Sequence, residues 1–173
     1  MKSTQDKNAI FVSVIESHKG ILYKIANAYC KDSEDRKDLI QEIYIQLWES
    51  FDSYNDDYKY STWIYRISLN VAISFYRKEN SRSKISSPFN TEIFNIADTI
   101  NFEKEEENIN LGILQKFISE LKELDKALIL LYLEEKSYKE IADIIGFSET
   151  NVATKIGRIK LKLKEKFSQI INQ

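Results

Sequence analysis

The chain has 173 residues, enough for one full-sized domain or two small ones. Its 25 Lys and Arg residues nearly balance its 27 Asp and Glu residues, and 43% of the chain is hydrophobic, which excludes disorder as the main state. A single cysteine, Cys30, excludes an internal disulfide and a cysteine-based metal site. The longest apolar run, Ala127 to Leu133, is far shorter than the roughly 18 residues that cross a bilayer. We therefore expect a cytoplasmic protein without membrane insertion.

Glycine and proline are scarce, which predicts an all-α fold. Apolar residues from Ile10 to Tyr29 recur at helical spacing, with Gly20 as a candidate break, and so predict two consecutive helices or one kinked helix. The acidic cluster from Asp32 to Asp35 then supplies a capping oxygen and negative charge for the next helix start.

The helix that follows this cluster has two unlike faces. Its predicted buried stripe is Leu39, Ile40, Ile43, Leu47, Trp48 and Phe51. The opposite face, here called the outer stripe, is Asp38, Gln41, Glu42, Ile45 and Glu49. Because this polar face includes an aliphatic residue, it is a candidate docking face.

A polar stretch from Asp52 to Ser61 interrupts the periodicity and predicts a loop that carries Tyr54, Tyr58 and Tyr60. The helix that resumes at Thr62 is predicted to bury Trp63, Ile64, Ile67, Val71 and Phe75 and to end near Lys78 or Glu79. The other residues of this helix are predicted to point away from the core: Tyr65, Arg66, Leu69, Asn70, Ile73 and Arg77. Tyrosines beside cations suit unpaired bases, because rings stack on bases and cations hold the backbone. Solvated loop tyrosines are the alternative, and for Trp48 and Trp63 core packing is favoured.

Residues 81–108 contain several serines and an acidic run, and we interpret them as a flexible linker between a domain at 1–80 and one at 109–173. Four helices are predicted in the second domain. Ser137 and Glu140 match a capping box, Gly146 matches a left-handed C-cap, and Ser148 can cap the last helix. Two helices joined by a short glycine turn are the pattern of a helix-turn-helix.

The last helix is predicted to turn Val152, Ile156, Ile159, Leu163, Phe167 and Ile170 towards the core. The remaining face is Thr150, Asn151, Thr154, Lys155, Arg158 and Lys162. Short polar groups followed by cations suit base edges first and phosphates afterwards. A solvated face is the alternative. The capping box, the glycine turn and the buried stripe together favour DNA binding.

These blocks resemble, in this order, those of bacterial RNA polymerase sigma factors, specifically the extracytoplasmic-function group of the sigma-70 family. Asp38 to Phe51, followed by Ser61 to Lys78, is similar to the helix that grips the polymerase clamp and the helix that melts and reads the minus-ten element. Leu128 to Lys164 is similar to the helix-turn-helix for the minus-thirty-five element. The resemblance implies sigma region 2 at residues 1–80 and sigma region 4 at residues 109–173.

The resemblance also implies partners and site residues. It assigns core polymerase binding to the outer-stripe residues Asp38, Gln41, Glu42 and Ile45. It assigns binding of the minus-ten element to Tyr54, Tyr58, Tyr60, Arg66, Asn70, Arg77 and Lys78. It also implies that the loop at 53–60 captures an everted base. It assigns binding of the minus-thirty-five element to Thr150, Asn151, Thr154, Lys155, Arg158 and Lys162. The implied partners are the clamp and flap surfaces of core polymerase and promoter DNA, and anti-sigma factors are common in the family.

Other functions fit the sequence less well. An enzyme is disfavoured because His18 is the only histidine and no nucleophile constellation accompanies it. No cofactor or metal is expected, since the acids near Asp32 lack the glycine and terminal Glu of a calcium loop. The main alternative is a dimeric helix-turn-helix regulator that acts on duplex DNA without polymerase. A further alternative is a helical adaptor with no nucleic-acid role. Dependence on core polymerase distinguishes them.

Overall fold

The computed structural model describes residues 4–83 and 102–171, which form seven α-helices and one short 3-10 turn, with no strand in either range. The helices are α1 (Thr4–Tyr29), α2 (Ser33–Ser50), α3 (Tyr60–Ser83), α4 (Phe102–Ser119), α5 (Glu123–Leu133), α6 (Tyr138–Ile145) and α7 (Glu149–Ile171). Helices α1 to α3 form one domain and α4 to α7 the other, which confirms the all-α fold of two helical domains. None of the described helices is long and apolar enough to cross a membrane.

The predicted linker at 81–108 falls largely on residues 84–101, which lie outside the described ranges. Helix α3 continues to Ser83 and α4 begins at Phe102, so both ends of the predicted linker, at 81–83 and 102–108, are helical. The domain limits at 80 and 109 stay predictions.

Helix α1 runs unbroken through Gly20, so of the two predicted alternatives the pair of consecutive helices is wrong. A glycine inside a helix costs only about 1 kcal/mol relative to alanine. The flanking residues Ile15, Leu22 and Ile25 are all buried in the core, and this burial offsets that cost.

Helix α2 begins where the acidic cluster predicts. The Asp32 carboxylate accepts hydrogen bonds from the backbone N–H groups of Glu34 (2.9 Å) and Asp35 (3.3 Å). Leu39, Ile43 and Leu47 are buried as predicted, but Trp48 is 37% exposed, so full core packing is wrong for this residue. It lies at the edge of the buried stripe, where the Phe11 ring meets it edge-on at 5.0 Å and the Lys7 ammonium lies 4.4 Å from its ring centre.

Helix α3 departs from the prediction at its start, on one face and at its end, which lies at Ser83 instead of near Lys78 or Glu79. Tyr60 begins the helix instead of belonging to the loop, and Phe51–Ser53 form the 3-10 turn. Tyr65 and Leu69 were expected to point away from the core but are 5% and 2% exposed. The second domain packs on this face through α5 and α6, and this contact is what removes Tyr65 from water.

The helix-turn-helix forms as its local signals predict. The Ser137 hydroxyl accepts from the N–H of Glu140 (3.2 Å), and the Glu140 carboxylate accepts from the N–H of Ser137 (2.9 Å). Gly146 has a φ of 83°, the left-handed conformation that glycine adopts without strain. The Ser148 hydroxyl accepts from the N–H of Asn151 (3.2 Å) at the start of α7. These contacts fix where α6 begins and ends and where α7 begins.

Candidate nucleic-acid interface and docking face

The outer stripe of α2 is exposed along its length. Ile45 is 55% exposed and is surrounded by the exposed polar residues Asp38, Gln41 and Glu42. A shallow groove beside it is lined by residues of α2 and α3: Glu42, Ile45, Gln46, Asn70, Val71 and Ser74. The structure therefore places Asn70 beside the outer stripe, next to residues that were assigned to polymerase binding.

The tyrosine loop forms a pocket against α1. The Tyr54 and Tyr60 rings stack with centres 4.3 Å apart and an angle of 19° between their planes. The Tyr54 hydroxyl donates to the backbone carbonyl of Tyr58 (2.6 Å), which holds the loop closed on itself. The pocket is lined by His18, Tyr54, Asp56, Asp57, Tyr58, Lys59, Tyr60 and Ser61. Aromatic faces and carboxylates in one pocket can stack on a base and accept hydrogen bonds from its amino group.

His18 was not predicted as a residue of this pocket. Its Nδ1 donates to the Val14 carbonyl one helical turn earlier (2.7 Å), which orients the ring. Local sequence around His18 carries no signal for this position, because the loop that it meets follows much later in the chain. Only the packing of α1 against α3 brings the two together.

The predicted cations of α3 lie in separate places. The Arg66 guanidinium lies over the Tyr58 ring, 4.8 Å from its centre, and thus beside the pocket. Arg77 and Lys78 are about three turns farther along the helix, roughly 17 Å at 1.5 Å per residue. Arg66 also donates to the carbonyl of Asp143, and Arg77 donates to the Glu123 carboxylate (2.7 Å). Both arginines are therefore bound to the second domain.

Helix α7 presents all six predicted residues on one face. Thr150, Asn151, Thr154, Arg158 and Lys162 are exposed, whereas Lys155 is half-buried with its ammonium 5.6 Å from the centre of the Phe147 ring. Val152, Ile156, Ile159 and Leu163 are buried on the opposite side, as predicted. Ile170 is 44% exposed, so its predicted core position is wrong.

Two other cations of α7 are engaged within the domain. Lys160 donates to the Tyr132 hydroxyl (2.9 Å), and Lys166 forms an ion pair with Glu120. Arg158 and Lys162 carry the exposed positive charge of the predicted DNA-binding face. Their position beyond the polar first turn matches the expected order of base contacts followed by phosphate contacts.

Cys30 lies buried in the core of the first domain. Burial raises the pKa of the Cys30 thiol to about 12, so it carries almost no thiolate at neutral pH. Burial and the neighbouring Asp32 carboxylate raise the pKa of Asp35. Over the described ranges, no cluster of His, Cys, Asp and Glu is arranged to hold a metal ion.

The structure has two helical domains, and the second contains a capped helix-turn-helix with an exposed polar and cationic face. These features define a helix-turn-helix DNA-binding protein. The family model for Sigma-70 region 2 matches residues 14–82, and that for Sigma-70 region 4 matches residues 111–163. The chain therefore belongs to the sigma-70 family, in its extracytoplasmic-function group. It is an alternative sigma factor that directs transcription initiation, a role that implies core RNA polymerase and promoter DNA as partners.

Similar proteins span nearly the whole chain. The RNA polymerase sigma factor SigV of Bacillus subtilis (strain 168) is 27% identical over 161 residues, which cover 91% of each chain. The ECF RNA polymerase sigma-E factor of Escherichia coli (strain K12) is 28% identical over 149 residues, with 82% of this chain and 78% of the relative covered.

Solved structures show the same fold. The structure of CnrH in complex with the cytosolic domain of CnrY matches with a TM-score of 0.66 at 20% identity, covering 94% of this chain and 90% of that one. The sigma factor RpoE of Bartonella quintana, in complex with the anti-sigma factor NepR, matches with a TM-score of 0.68 at 18% identity, covering 95% and 98%.

Proposed function

We propose that the two domains divide promoter recognition between them, residues 1–80 binding core polymerase and the minus-ten element and residues 109–173 binding the minus-thirty-five element. The observation that carries this proposal is the exposed face of α7, which places short polar groups and then cations on a helix whose other side is buried. A face of this shape fits the major groove.

Polymerase binding is assigned to the outer stripe. Ile45 supplies apolar area at the centre, and Asp38, Gln41 and Glu42 surround it with groups that accept hydrogen bonds from cationic partners. Interfaces of this design gain affinity from the desolvated centre and orientation from the charged rim. The complementary surface on the polymerase clamp would be basic with an apolar centre.

The tyrosine pocket is assigned to an unpaired base of the minus-ten element. Tyr54 and Tyr60 present their rings, Arg66 and Lys59 lie close enough to neutralise phosphates, and the pocket is open to solvent. Stacking of one base on a ring contributes about 1–3 kcal/mol, which is of the order of the cost of taking the base out of the duplex. Flexible A·T-rich DNA would lower that cost.

The protein supplies binding energy and no bond-breaking chemistry under this proposal, and it uses no cofactor. Each phosphate that it neutralises steepens the fall of log K with log salt concentration by about 0.9. Each well-placed side chain discriminates between bases by about 1–3 kcal/mol. Its place of action would be the cytoplasm, where polymerase and DNA are found. An anti-sigma factor that sequesters the free protein is a further proposed partner.

The test is to add the purified protein to bacterial core RNA polymerase and then to transcribe a fragmented library of the source genome with and without it. Co-elution with polymerase together with new, discrete start sites is the expected result. A matched control is the variant Asp38→Ala with Glu42→Ala, which should keep its helicity and lose co-elution. Tight binding of the lone protein to palindromic duplex DNA, without co-elution, would instead identify a dimeric regulator.

A further inference from the structure

His18 of α1 forms one wall of the tyrosine pocket. The other residues that line the pocket lie between Tyr54 and Ser61, in the loop and at the start of α3. The pocket has a volume of about 490 Å³. Sites for small molecules typically have volumes of roughly 300–1,000 Å³, so the pocket has room for a single base. A base held there by the loop would also meet the His18 side chain.

The position of the His18 ring is fixed before any ligand binds. Ile15 and Leu22, one turn before and one turn after His18, are 3% and 0% exposed, so they anchor this part of α1 in the core. The hydrogen bond from Nδ1 to the Val14 carbonyl (2.7 Å) then sets the direction of the ring. Because a group held on a packed helix needs little ordering when a ligand binds, the entropy cost of recognition is low.

The hydrogen bond to Val14 also decides which ring nitrogen accepts. A carbonyl oxygen can only accept, so Nδ1 carries the proton of this bond. A neutral imidazole has one proton, and Nε2 is then left with its lone pair. Within residues 4–83 and 102–171, Nε2 makes no hydrogen bond. Of the two ring nitrogens of His18, Nε2 is therefore the one available to a ligand, and it is an acceptor.

The carboxylates of the loop give the pocket the same preference. Asp56 and Asp57 line it together with the tyrosines, and a carboxylate can only accept hydrogen bonds. Asn55 donates to Oδ2 of Asp57 (2.7 Å), which holds that carboxylate in place. The lining thus combines three acceptor side chains, those of His18, Asp56 and Asp57, with the ammonium group of Lys59.

A lining rich in acceptors distinguishes bases by one functional group. Adenine and cytosine carry an amino group, which donates, where guanine and thymine carry a carbonyl oxygen, which accepts. An amino group can donate to Nε2 of His18, whereas a carbonyl oxygen would place its lone pairs against that of Nε2. Two acceptors that face each other with water displaced both stay without a proton, which costs binding free energy.

We propose that His18 is a specificity-determining residue of the minus-ten site, and that its Nε2 accepts a hydrogen bond from the amino group of an unpaired adenine or cytosine. The inference rests on the assignment of the tyrosine pocket to an unpaired base made above. The rings of Tyr54 and Tyr60 offer stacking, which every base can share. The polar groups of the lining therefore decide which base is preferred.

The test uses the full-length protein assembled with bacterial core RNA polymerase. The probes are fluorescent thymine strands with one central base exchanged for adenine, cytosine, guanine or purine, the last being adenine without its amino group. Anisotropy gives the Kd of each strand, and core polymerase alone gives the background. At about pH 8, above the range in which imidazole usually titrates, the adenine and cytosine strands are expected to bind about fivefold more tightly than the others, the value of one ordinary hydrogen bond.

Two substitutions separate base recognition from a structural role of the ring. His18→Phe keeps an aromatic ring without an acceptor and is expected to bind all strands with the same Kd. His18→Gln carries an amide oxygen at about the reach of Nε2 and is expected to restore the preference. The matched control is Asn27→Ala, which changes an exposed polar residue of α1 outside the pocket and should keep the wild-type ratio of Kd values. Circular dichroism checks that each variant keeps its helicity.

The outcomes separate this inference from the proposed function. A wild-type preference that His18→Phe removes and His18→Gln restores supports both. A preference that persists in His18→Phe, or one lost in both His18 variants, overturns the hydrogen bond to Nε2. Equal Kd values for all strands in the wild type also overturn it, and the pocket assignment then stands if Tyr54→Ala with Tyr60→Ala weakens binding of every strand. Binding that this double variant leaves unchanged would overturn the assignment of the pocket itself.

Discussion

Ile45 offers the sharpest test of the docking face on α2. Its side chain is 55% exposed in the free protein and sits among the polar groups of the outer stripe. Ile45→Ala removes three carbon atoms. Three carbons at about 0.8 kcal/mol each are worth about 2.4 kcal/mol, and burial against polymerase of the 55% that is exposed would give a loss of about 1.3 kcal/mol, or about tenfold in Kd. Because the side chain is already partly buried in the free protein, the free energy of unfolding should fall by no more than about 1 kcal/mol.

The assay is a titration of labelled protein with bacterial core RNA polymerase, read by fluorescence anisotropy. The matched control is Leu161→Ala on α7, which truncates an apolar side chain that is 62% exposed but lies far from the outer stripe in the fold. Only the Ile45 variant should bind more weakly. An unchanged Kd for Ile45→Ala, or an equal loss in both variants, would refute the assignment of this face to polymerase.

Three further predictions concern α7, the helix-turn-helix and the core. Arg158→Ala should weaken binding of polymerase holoenzyme to promoter duplex by about 1–3 kcal/mol while its affinity for core polymerase and its circular dichroism spectrum stay unchanged; a loss of helicity would mean that the residue is structural. Ser137→Ala removes the N-cap of α6 and should lower the free energy of unfolding by about 1 kcal/mol in urea titrations, and a stability equal to that of the wild type would contradict the capping role. Ser68 is fully buried on α3, and its hydroxyl has no hydrogen-bond partner among the described residues. Ser68→Ala should therefore unfold at the same or a higher temperature, and a marked drop would reveal a partner for this hydroxyl.

The sequence was most informative where a signal and its structural effect lie within a few residues. Asp32, Ser137 and Gly146 act on backbone groups two to four positions away, so the helix ends at these residues could be predicted from spacing alone. The buried stripe of α7 follows from 3.6-residue periodicity in the same way. The polar and cationic face of the helix-turn-helix is then what the buried stripe leaves over.

Predictions failed where residues distant in the chain meet. Tyr65 is buried where Lys136 of the second domain lies over its ring, and Trp48 is 37% exposed at the edge of its stripe, and helical periodicity predicted neither outcome. Lys126 is 2% exposed, and its burial had only an indirect signal. The run from Ala127 to Leu131 is apolar all round the helix, which is typical of a helix that is covered on more than one side.

The sequence by itself determined the helices, their caps, the two-domain order and the family, since these depend on local spacing and on motif order. Only the tertiary structure decided which face each domain turns to the other. Periodicity shows that a side chain avoids water but does not show which surface removes the water. The contacts of Arg66 and Arg77 with the second domain depend on that choice.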